Sequence, residues 1–134
     1  MTLSPEIYWL SLSILFTSLM WVPYIINRMF EMGLWPALYN PQPDTRPTSQ
    51  WATRMMSAHE NAIENLIILA PLVIMIEITG SNSSLSHMSV VMYFYARLIH
   101  FFVFTFGIPL LRVPAFLLGF SAQFLLALNL LKLI

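Results

Sequence analysis

The segment RMMSAHENAIENL, residues 54–66, decides how the chain is read. It opens an apolar run, residues 67–76, that suits lipid. Its own turns nevertheless carry Arg54, His59, Glu60, Asn61, Glu64 and Asn65. On a helix, Asn61, Glu64 and Asn65 fall on one face, with Ser57 and Ala58 a turn before them. A polar face at membrane depth is costly unless it meets partners. A second segment supplies them: YARLIHFFVFTFGIPLLR, residues 95–112, in which Arg97, His100 and Phe104 share a face. The expected pairing is Glu64 with Arg97, as a clamp between helices or as part of a cavity. A guanidinium well inside lipid costs at least ~2.5–3.5 kcal/mol, so Arg97 is the residue least easily explained as inert.

Composition fixes the class. Of 134 residues, 58% are hydrophobic and 9% charged, whereas a soluble domain carries roughly 25% charged residues. A soluble core of this size cannot hide so much apolar surface. The chain is therefore expected to be an integral membrane protein. Its net charge of zero offers nothing to a nucleic acid. With no cysteine, disulfides, a cysteine nucleophile and thiolate metal sites are excluded, and any thiol chemistry needs an external thiol. His59-Glu60 begins like a zinc helix, but position 63 is Ile, and His87 falls on the opposite membrane side from His59 and His100. No metal site is expected. No Ser-His-Asp arrangement and no glycine-rich phosphate cradle is visible.

Outward from the two segments, four spans are expected within a single domain, 1–134. Residues 7–26 hold no charge and are long enough for the hydrocarbon core of about 30 Å. Ser4 is placed to cap this helix (5–28), with Pro5 in its first turn and Pro23 set to bend it. Trp9, Trp21 and Tyr24 are candidate interfacial anchors. The connection that follows holds Pro36, Pro41, Pro43 and Pro47, with Asp44 and Arg46, so no helix runs through residues 39–49. Leu34, Trp35, Leu38 and Tyr39 either lie along the headgroups or form a plain loop. The second helix, 50–79, is expected to kink at Pro71, with Glu77 as its far-side anchor. The third covers 85–106 and the fourth 112–132, with Gly119, Ser121 and Ala122 available for a close helix contact.

Basic residues set the orientation. The first connection holds or borders Arg28, Arg46 and Arg54, the third holds Arg112, and the second has none. The positive-inside rule then puts both termini on the non-cytoplasmic side, with Lys132 the one dissenter. Asn61, Glu64, Arg97, His100 and Arg112 would all lie in the cytoplasmic half. Such a set suits a small anionic ligand entering from the cytoplasm, its carboxylates met by arginines. A thiol held near Arg112 would ionise more easily.

Arg54, Ala58, Asn61 and Glu64 on the second helix, with Arg97, His100, Phe104 and Arg112 on and after the third, resemble the pattern of the MAPEG family, the membrane-associated proteins of eicosanoid and glutathione metabolism. The resemblance covers the whole chain and is nearest to short bacterial members, which implies an inner-membrane location. It implies a homotrimer of four-helix subunits with glutathione at subunit interfaces. Arg28, Arg54, Asn61, Glu64, Arg97 and His100 would contact glutathione. Arg112 would stabilise its thiolate for transfer to a lipophilic electrophile or peroxide. Ser57, Glu60, Phe104 and Val113 depart from the eicosanoid-type pattern. The alternative is a catalytically silent lipid-binding or accessory subunit of a larger membrane complex. A small transporter is less attractive, because no pair of broken helices is visible.

Overall fold

A computed structural model describes residues 2–39 and 47–134. The described residues are all-α: α1 (Pro5–Leu19), α2 (Trp21–Met32), α3 (Leu34–Tyr39), α4 (Gln50–Thr79), α5 (Ser84–Thr105) and α6 (Arg112–Leu130). Helices α1 and α2 form one apolar span, Pro5–Met32, and α4, α5 and α6 form three more. The protein is an integral, multi-pass membrane protein built as a four-span helical bundle. Pro41, Pro43, Asp44 and Arg46 of the first connection lie outside the described residues.

The first span starts as its sequence dictates. Ser4 caps α1, accepting a hydrogen bond from the Ile7 amide at 3.2 Å, with Pro5 in the first turn. The span breaks at Met20, between α1 and α2. Pro23 is the cause: it has no amide to give Leu19, and its ring crowds that carbonyl. Helix α4 by contrast runs through Pro71 without interruption. Leu34, Trp35, Leu38 and Tyr39 form the short helix α3, and all four are exposed.

Helix α5 is the centre of the bundle, packing on α1, α4 and α6. Two apolar clusters make the core. One gathers Leu10, Leu69, Val73, Val90, Tyr93 and Leu126, and the other Met20, Met55, Ala58, Ala62 and Phe101. Phe16 of α1 meets Phe101 edge-on at 5.4 Å, and Trp9 lies 5.4 Å from Phe94. Trp9 thus packs within the bundle. On α6, Gly119 and Ala122 are buried while Ser121 is exposed and turns back to the Leu117 carbonyl. The close contact is therefore made by Gly119: a β-carbon there would sit 3.4 Å from Arg97 Cδ and 3.8 Å from Ala96 Cβ. Small residues matter here because lipid gives helices no hydrophobic reason to associate, leaving close packing and hydrogen bonds to hold them.

Polar side chains close one end of the bundle. The Glu6 carboxylate, 2% exposed, accepts from Ser86 Oγ, and Ser4 bonds Glu77. Asn129 donates to the Ser81 carbonyl at 3.0 Å and accepts from Ser83 Oγ at 3.1 Å. Lys132 reaches Ser81 Oγ at 3.0 Å. The two ends of the described chain are thus tied to the α4–α5 turn, with Glu77 as one of the anchors.

At the opposite end, Glu31 of α2 acts on α4. Its carboxylate accepts from the backbone amides of Thr48 and Ser49, each at 3.0 Å, and from Ser49 Oγ at 3.0 Å. Ser49, the N-cap residue, makes no side-chain cap of its own. A carboxylate there meets both unpaired amides and the positive end of the helix dipole. Glu31→Ala is expected to lower the melting temperature of the detergent-solubilised protein, followed by tryptophan fluorescence; an unchanged transition would refute the clamp.

Candidate functional site

The polar residues of α4 do not all share one environment. Its buried stripe runs through Ala58, Ala62, Asn65, Leu69 and Val73, at the three- and four-residue spacing of a packed helix face. Asn65 belongs to that stripe, Asn61 flanks it half-buried, and Glu64 is exposed. Position 64 lies about 100° around the helix from position 65. This rotation overturns the expected pairing of Glu64 with Arg97.

Arg97 pairs with Asn61 instead. Its Nη2 donates to Asn61 Oδ1 at 2.8 Å and lies 3.4 Å from His100 Nδ1. The network continues into α6, where Gln123 Nε2 donates to the backbone and side-chain oxygens of Asn65, each at 3.1 Å. Asn65 in turn donates to the Asn61 carbonyl at 2.7 Å. The layer Gln123–Asn65–Asn61–Arg97–His100 therefore joins three spans. Within it Arg97 is 3% exposed, yet its Nε and Nη1 meet no acceptor among the described residues. Buried donors normally find partners, so two orphans on one guanidinium stand out.

Gln123 was not anticipated. The signal was available: Gln123 and Asn129 are the two amides within the apolar α6 sequence, and both are buried and bonded. An amide in lipid is costly unless paired, so each marks a contact between helices.

The remaining basic candidates fall into two further places. Arg54 of α4 donates through Nε to the Thr105 carbonyl at 2.9 Å, satisfying the open C-terminal end of α5. Arg54 and Arg112 line a common cavity of about 200 Å³ at the α5–α6 turn. Arg112 lies over the Phe104 ring at 5.4 Å, and Phe104 sits 5.6 Å from the His100 ring, which links this cavity to the buried layer. Arg28 lines a separate small cavity with Tyr24, Glu31 and Met56. His59 is half-buried and bonds Tyr24 Oη at 2.7 Å, while Glu60 is exposed.

Asn61, Arg97 and His100 thus come together, Arg54 and Arg112 adjoin them through Phe104, and Glu64 and Arg28 lie away from this group. No curated protein and no solved structure matches the sequence significantly. A family comparison does: the sequence model of the MAPEG family matches residues 7–132, nearly the whole chain. With four apolar spans and a buried polar layer that joins three of them, this chain belongs to the MAPEG family.

Proposed function

We propose that the protein is a glutathione-dependent transferase or peroxidase acting on lipophilic electrophiles. The family includes such enzymes. The observation that carries the reading is Arg97, whose two unpaired nitrogens are held in place by Asn61. A guanidinium edge with free donors fits a carboxylate, and glutathione offers two. Asn61, Arg97 and His100 would hold the peptide. Arg54 would add a cation at the mouth. Glu64, exposed on α4, and Arg28, half-buried at its own small cavity, would complete the site from a neighbouring copy in a homotrimer. When bound, glutathione supplies the thiol that attacks the electrophile.

Arg112 then acts on that thiol. It is exposed, stacked on Phe104, and adjoins the buried layer, so its charge favours the thiolate. Arg112→Ala is expected to leave glutathione affinity nearly unchanged while lowering kcat about 100-fold, as for loss of a single anion-stabilising donor. Equal losses in affinity and kcat would move Arg112 from chemistry to binding. In this reading the protein lies in a bacterial inner membrane, with both termini on the non-cytoplasmic side.

A second reading has its own support. The Gln123–Asn65–Asn61–Arg97 chain knits three spans as a packing device, which also suits a silent, lipid-binding or accessory subunit. Calorimetry decides between the two. Protein in a lipid bilayer titrated with millimolar glutathione is expected to give binding heat, and a flat titration removes the enzymatic reading.

A further inference from the structure

We propose that the cavity at the α5–α6 turn is a site for the phosphate of an anionic glycerophospholipid. The cavity of about 200 Å³ carries two guanidiniums, Arg54 and Arg112, and no carboxylate in its lining. Neither arginine has an acidic partner among the described residues, so two like charges share a pocket without a counterion. An anion between them relieves that repulsion. A phosphate diester presents acceptor oxygens to both.

The approach of Arg54 is built into the turn. Gly107 has φ +66°, a conformation that favours glycine, and a β-carbon there would lie 3.1 Å from Arg54 Cζ. A side chain at 107 would press on the guanidinium, which bonds Thr105 through Nε and would have to give by a few tenths of an ångström. The position of Arg54 is therefore specified from both helices.

The surroundings identify the anion as one borne by a lipid. The turn joins the ends of two spans, so it lies at the border of the hydrocarbon. Phe106, Ile108, Leu110 and Leu111 are all exposed there. Leu110 is 84% exposed and holds φ +70°, a strained conformation that presents an apolar side chain outward. A water-borne anion gains nothing from such a rim. A phospholipid does, because its glycerol and upper acyl carbons lie beside its phosphate.

The cavity shares Arg54 and Arg112 with the transferase reading, but lipid retained without glutathione and turnover with it are separate readouts, so either reading can fail alone. The whole protein in detergent is mixed with dioleoylphosphatidylglycerol or, separately, with dioleoylphosphatidylcholine, and retained lipid is counted by native mass spectrometry. Phosphatidylglycerol is expected to be retained in preference. Arg54→Gln and Arg112→Gln should each cut its retention about tenfold or more, as for loss of a charged hydrogen bond. Lys132→Gln, at the far end of the bundle, should not. Because Arg54 also braces α5, Arg112→Gln keeps the test open if the first variant misfolds. Inorganic phosphate at millimolar concentration should not displace the lipid. Equal retention of the two lipids, or full retention by Arg112→Gln, would overturn the proposal. Displacement by phosphate alone would assign the cavity to a free anion and overturn the lipid source.

Discussion

Arg97→Met is expected to abolish glutathione binding while leaving the melting temperature unchanged or raising it. The two effects have opposite signs because the guanidinium is poorly satisfied. It makes one short hydrogen bond, to Asn61 at 2.8 Å, and leaves Nε and Nη1 without acceptors while 3% exposed. Losing the bond to Asn61 costs about 1.5–3 kcal/mol, whereas each orphaned donor removed returns about 1–3 kcal/mol. Methionine has similar reach and no polar atom, so the site need not collapse. On the binding side, losing a guanidinium–carboxylate pair is expected to weaken affinity by about 100-fold or more. Calorimetry and thermal unfolding on the same preparation read both quantities. A fall of several degrees in melting temperature would instead make Arg97 a structural brace and favour the silent reading.

Gly119→Leu is expected to be the most destabilising single change in the bundle. The β-carbon alone would reach 3.4 Å from Arg97 Cδ and 3.8 Å from Ala96 Cβ, the edge of ordinary contact. With the β-carbon already in contact, three further carbons are expected to push α5 and α6 apart or drive Arg97 from its place. A cost of about 3 kcal/mol or more is expected, the upper range for overpacking. Gly119→Ala is the control. It adds only the carbon that fits, and its better helix propensity, about 0.8–1 kcal/mol, offsets the tight contact. Thermal unfolding of the two variants beside the parent protein separates these outcomes. A leucine variant that melts with the parent protein would refute the tight crossing.

Much of this was legible in the sequence, for identifiable reasons. Long apolar runs gave the four spans, though only the first and fourth are free of charge, because a soluble core of this size cannot hide so many apolar side chains. Ser4-Pro5 marked the first helix, since its chemistry is local. The grouping of Arg97, His100 and Phe104 followed from helix geometry alone, and Arg97 and His100 are indeed buried together with Phe104 alongside. The partner of Arg97 was not legible. Asn61 and Glu64 sit on neighbouring flanks of α4, and a small rotation of the helix decides which faces α5. That rotation is set by the packing of Ala58, Ala62, Leu69 and Val73, which local spacing does not fix. The break at Met20 displaces the effect of Pro23 by one turn, to the carbonyl its ring crowds. The capping of α4 by Glu31 was invisible for a different reason: it joins residues 17 and 18 apart across the proline-rich connection.

That same carboxylate makes the peptide backbone between the first span and the rest partly redundant. Glu31 holds Thr48 and Ser49, Tyr24 holds His59, and Glu6 and Ser4 hold Ser86 and Glu77. None of these attachments runs through residues 40–46. A chain nicked there would remain a single particle, its two fragments co-purifying until the bundle itself is unfolded.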